Sequence, residues 1–98
     1  MKTYHVWYRK EPIRWVDKYL TVSDIAEKYC LVSHVKADCL YEVFEQQQSE
    51  VWSPGAQKEM EAVIKKAGLN RTSMGVGDVA EVNGTYYQVD LSSWRKVE

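Results

Sequence analysis

Asn83-Gly84 stands between two short runs rich in β-branched and aromatic residues, 79–82 and 85–89. A type I′ turn needs positive φ at both central residues, and Asn-Gly supplies it with the least strain. This pair therefore commits residues 79–89 to a β-hairpin.

Gly75-Val76-Gly77-Asp78, just upstream, invites a phosphate-cradle reading. A P-loop runs from a strand into a helix and sets a lysine after its last glycine. Here the loop follows a helical segment, leads into a strand and has no lysine after Gly77. A dinucleotide fingerprint needs a third glycine in the same strand-to-helix setting. Gly75 and Gly77 are instead expected to supply unusual backbone angles where the strand begins. Asp78 is expected to accept hydrogen bonds from the amides of its own turn.

Residues 3–9 alternate around Tyr4, Val6 and Tyr8, with Trp7 on the opposite face, and read as a strand that Pro12 ends. Ile13, Trp15 and Val16 follow in a segment with no clear period. Thr21 or Ser23 can cap a short helix through Ile25 and Lys28; the rival reading is a strand over 19–22. Residues 29–36 read as a strand. The period then switches, with Leu40, Val43, Phe44 and Gln47 at helical spacing and Asp38 as the expected N-cap. Ser53-Pro54 starts another helix, because the N–H that proline lacks would be unpaired at N1. Met60, Val63, Ile64 and Ala67 form its apolar stripe, and Gly68-Leu69 closes it. A last strand is expected over 94–97. Leu40, Phe44, Val63 and Ile64 are the expected core residues of the helices.

This order predicts one α+β domain over 1–98, with a mostly antiparallel sheet of about four or five strands and two main helices packed on one face. The chain has 98 residues, enough for one small core. Hydrophobic residues make up 45%, which argues against disorder.

Thirteen basic residues offset fourteen acidic ones, so the charge expected of a dedicated nucleic-acid binder is missing. No run approaches the roughly 18 apolar residues of a membrane span. The first residues lack the apolar segment of a secretory leader, so a cytoplasmic protein with Cys30 and Cys39 as free thiols is expected. His5, His34, Cys30 and Cys39 match no common zinc spacing, and no metal or cofactor is expected. Cys30 reads as a buried residue and Cys39 as part of a first helical turn. No nucleophile elbow is present, and Ser73 and Ser92-Ser93 fall at turns. Asp78 and Asp90 could pair as carboxylates, but fourteen acidic residues give such pairs by chance. A non-catalytic protein is the expectation. Trp7, Trp15, Trp52 and Trp94 fit either sheet-edge caps or interface anchors.

The run Thr72-Ser73-Met74-Gly75-Val76-Gly77-Asp78-Val79, the Tyr86-Tyr87 pair and Trp94 together resemble the C-terminal signature of short phage and mobile-element proteins grouped as YodL-like. Tyr4-His5-Val6-Trp7 and residues 35–44 resemble that group too, whereas about 13–28 does not. Gly75 stands where the pattern usually has serine, and Gln88 where a cysteine often follows the tyrosines. The resemblance implies an accessory protein in a bacterial cytoplasm, with no established catalytic residues.

The expected partner is a host or phage protein, met through Ser73, Met74, Trp94 and Arg95 by a monomer or weak dimer. Gly75, Gly77, Asp78, Asn83 and Gly84 are expected to be structural turn residues. The alternative is a nucleic-acid-associated module that stacks bases on exposed aromatics.

Overall fold

The computed structural model describes residues 1–10, 20–69, 71–91 and 93–98. Among them the chain forms an α+β fold. Strands β1 (Lys2–Arg9), β2 (Tyr29–Ala37), β3 (Val79–Val82), β4 (Thr85–Val89) and β5 (Trp94–Lys96) make one sheet in the order β2-β1-β3-β4-β5. All four pairings are antiparallel. Helices α1 (Val22–Lys28), α2 (Leu40–Gln46) and α3 (Pro54–Lys66), with a 3-10 turn at Ser49–Val51, complete it. Pro12, Ile13, Trp15, Val16 and the start of the rival strand over 19–22 lie outside the described residues, as does Ser92.

Alternation along the strands sorts two cores. Tyr4, Val6 and Tyr8 are buried on one face, with Val35 opposite Tyr4 and Ala80 opposite Val6. Val43 of α2 and Ile64 of α3 are buried in the same cluster. The other face carries Trp7, Val79, Gln88 and Arg95 as successive cross-strand neighbours. Over it, Ile25 of α1 packs with Leu20, Tyr29, Val79 and Val97. The two main helices share one face as expected, and α1 covers the opposite one.

The local signals act as their chemistry requires. The Asp24 carboxylate accepts from both the backbone N–H and the hydroxyl of Thr21, at 3.0 Å each, and starts α1. The bond from the Thr21 backbone N–H, first among the causes, holds the Asp24 carboxyl below the usual carboxylate range. The Ser53 hydroxyl accepts from Ala56 N at 3.2 Å. Gly68 takes φ +76° while Leu69 N donates to Ile64 O and Gly68 N to Lys65 O, the two bonds of a Schellman cap.

Four expectations need correction. Asp38 does not cap α2: the N-cap is Cys39, whose backbone is extended. The Asp38 carboxylate instead faces the N-terminal ammonium at 3.6 Å. Val63 is 38% exposed, because Ile64 takes the inward position of that turn. Leu40 and Phe44 are only partly buried, leaving Val43 as the inward residue of α2. Cys30 is half-buried rather than buried.

Asn83 (φ +52°) and Gly84 (φ +81°) make the expected turn, with Val82 paired to Thr85. A Cβ at Gly84 would meet no atom within 4 Å, so the backbone angle alone demands glycine. Gly84→Val is expected to cost about 1–3 kcal/mol, the strain of a β-branched residue at positive φ. Urea melts against wild type check this; an unchanged midpoint would mean that the turn can adopt another type.

Candidate functional site

The glycine loop closes around Asp78, which is 0% exposed. Arg71 holds its carboxylate from one side through both terminal guanidinium nitrogens, Nη1 and Nη2. Arg9 N donates to Oδ1 at 2.9 Å and Gly75 N to Oδ2 at 2.8 Å. Asp78 therefore bonds its own turn, as expected, and also ties that turn to β1 across 69 residues of sequence. The bond to Asp78, ahead of the opposing effect of burial, raises the Arg71 guanidinium above its ordinary value. Gly77 takes φ +94°, which fits the expected role. Gly75 does not: its φ is not positive, and a Cβ there would meet open space.

Tyrosines extend this network. Tyr8 lies beneath the Arg71 guanidinium, 4.9 Å from its carbon. Its hydroxyl donates to Thr72 O at 2.7 Å and accepts from Gln47 Nε2 at 3.3 Å. The Tyr29 hydroxyl donates to Gly77 O at 2.6 Å and accepts from Gln88 Nε2 at 3.3 Å. Burial raises both phenols above the ordinary tyrosine range. Four donors fill the two carboxylate oxygens of Asp78, and the network serves to lock the loop.

Three buried polar atoms have no hydrogen-bond partner among the described residues: Trp7 Nε1, Gln88 Oε1 and Arg95 Nη1. They lie on one cross-strand row. Their burial closes them to approach from solvent.

The expected contact surface does not form as a unit. Met74 is 2% exposed and belongs to the main core, its amide donating to Gln47 O at 3.0 Å. This corrects its assignment as a contact residue: the loop turns its thioether inward to fill the core beside α2. Trp94 and Arg95 are half-buried and lie opposite Val89 and Gln88, so they project to opposite faces of the sheet. Ser73 is half-buried, and its carbonyl accepts from Arg71 Nη1. Trp7 and Tyr86 pack against the second cluster and are not free stacking platforms.

A feature that sequence reasoning missed lies along β2, the strand at one edge of the sheet. A cavity of about 440 Å³ opens between β2 and α3. Val32, Trp52, Met60 and Val63 give it apolar walls, and Ser33, His34 and Glu59 reach it as polar groups. Ser33 and His34 are consecutive on a strand and point to opposite faces, so they cannot form a proton relay. The His34 ring packs edge-on against His5 at 4.6 Å, and His5 Nδ1 meets Glu81 Oε1 at 3.1 Å. Among the described residues, no group of three or more His, Cys, Asp or Glu side chains could hold a metal ion. No helix among them is long and apolar enough to cross a membrane. The one trace of this cavity in the sequence is the helical spacing of Ala56, Glu59, Met60 and Val63.

Comparison with known proteins finds no matching family model, no matching curated protein and no matching solved structure.

Proposed function

We propose that this is a non-catalytic binding protein that acts on another protein, the accessory role implied by its resemblance to phage and mobile-element proteins. One observation carries the reading: the apolar-walled groove of about 440 Å³ between β2 and α3. Grooves of this size, apolar with a few polar groups, are where partners and ligands seat their anchoring side chains. Val63, one of its apolar walls, is exposed. The contact surface is assigned to this groove in place of Ser73, Met74, Trp94 and Arg95, since burial and opposed projection remove the unity of that set.

Capture from bacterial lysate, with wild type, Val63→Glu, Trp52→Ala and Leu91→Glu as parallel baits, tests this reading. Leu91 is exposed beside β5, at the far end of the sheet from the groove. The expected outcome is a protein retained by wild type and by the Leu91 variant and lost from both groove variants. Equal recovery by all four baits would overturn the reading. Binding to single-stranded DNA that falls steeply with salt would replace it with the nucleic-acid alternative.

A further inference from the structure

We propose that the groove takes an extended peptide segment of the partner, which adds as a further strand to the outer edge of β2. The segment carries an apolar side chain and, two residues along, a cationic one. This deepens the protein-binding reading and rests on it.

The edge of β2 supplies the first reason. β2 is terminal in the sheet, with β1 as its one strand neighbour among the described residues. Gln46 Nε2 donates to the Lys36 carbonyl at 3.1 Å, so Lys36 turns its backbone polar groups away from β1. Antiparallel pairing alternates inward and outward residues. Thr3↔Lys36 and His5↔His34 belong to the same unbroken register, which ends at the irregularity after Val6. His34 therefore also presents its N–H and C=O outward. Gln46 covers the edge only at its Lys36 end, and His34 lines the groove.

The shape of the groove supplies the second reason. Ser33 and His34 lie in the unbroken register and send their side chains to opposite faces of the sheet. A cavity lined by both looks at the strand's edge. The facing wall is one side of α3, with Ala56, Glu59, Met60 and Val63 at helical spacing. A slot bounded by a strand edge and a helix flank accepts one extended chain, whose backbone pairs with the edge while every second side chain meets the helix. A second copy fits less well. Edge-to-edge pairing about a two-fold would bring its own α3 to the same side of the joined sheet, where the two helices compete for the slot.

Charge supplies the third. Glu59 is exposed, lines the groove and has no ion-pair partner among the described residues. It is the one carboxylate on a lining that holds no lysine or arginine. A lysine or arginine two residues from the apolar anchor would meet it on the helix-facing side.

The test uses a random library of peptides about eight residues long, the length of an ordinary strand. Wild type is expected to select an apolar residue two positions from Lys or Arg. N-methylation along the selected peptide should weaken binding by about tenfold or more at alternate residues and leave those between unaffected. Glu59→Lys should select an acidic residue in place of the basic one, and Val63→Glu should abolish selection. A flat or helix-spaced N-methyl profile would overturn the proposal, as would charge selection that ignores Glu59→Lys. A concentration-dependent dimer lost with Val63→Glu would make the occupant a second copy and overturn it too. If no peptide is selected while the groove variants still lose a lysate protein, this inference fails and the protein-binding reading stands. If lysate capture ignores the groove variants, that reading itself fails.

Discussion

Arg71→Ala is expected to destabilise the fold by about 3 kcal/mol, the lower end of the range for breaking a buried ion pair by removing one partner. The lower end applies because Arg71 is itself 36% exposed, so water already shares the guanidinium. The cost arises mainly at Asp78, which is 0% exposed and would keep only two backbone donors, Arg9 N and Gly75 N. The substitution also removes the cation stacked on Tyr8 and a donor to Ser73 O. Arg71→Lys should recover part of the loss, since an ammonium keeps the charge but not the two-pronged geometry. Urea melts of the three proteins check the order wild type, lysine, alanine. A loss below about 1 kcal/mol for alanine would mean that the Asp78 turn is not held by this pair.

The same turn shows how far the sequence could be read. Its local chemistry was legible. Asn83-Gly84, Ser53-Pro54 and Gly68-Leu69 each solve a backbone problem within a few residues, and each does so in the structure. Strand faces were legible too, because Tyr4, Val6 and Tyr8 alternate in plain view. Long-range partners were not. Nothing in the spacing of Arg9, Arg71 and Asp78 shows that strand pairing brings them together, so Asp78 reads only as a turn residue. The place of Met74 is hidden for a related reason: an apolar residue in a polar loop looks exposed until the loop is known to fold over a core. Asp38 has the side chain of a cap, but β2 runs on to Ala37 and the cap falls at Cys39, whose backbone is extended. The groove was hidden because it belongs to an edge. Which strand is terminal depends on β3 pairing with β1, a contact across more than 70 residues.

Tyr8→Ala should be the most damaging single change, costing about 3–5 kcal/mol as for other large aromatics cut to alanine. Tyr8 is 0% exposed and sits in the main cluster with Val6, Val35 and Ala80. Its loss would open a cavity and also strand the Thr72 carbonyl and the Gln47 amide, which are bonded to the phenol at 2.7 and 3.3 Å. Tyr8→Phe separates the two effects: it keeps the ring under Arg71 and should cost about 1–2 kcal/mol for the groups left unpaired. Alkaline pH offers an independent check. Burial raises the Tyr8 phenol above its ordinary value, so the unfolded chain releases that proton first. The stability linked to this proton is whole below about pH 10, the unfolded value, and is lost as pH rises from there through the folded value, by up to about 1.4 kcal/mol per pH unit. Tyr29 is raised by the same cause, so Tyr8→Phe should make the alkaline decline shallower without removing it. Urea melts of wild type and Tyr8→Phe between about pH 8 and 11 measure both slopes. Parallel slopes would mean that the Tyr8 hydroxyl reaches solvent and that the loop is held less tightly than its bonds to Thr72 and Gln47 require.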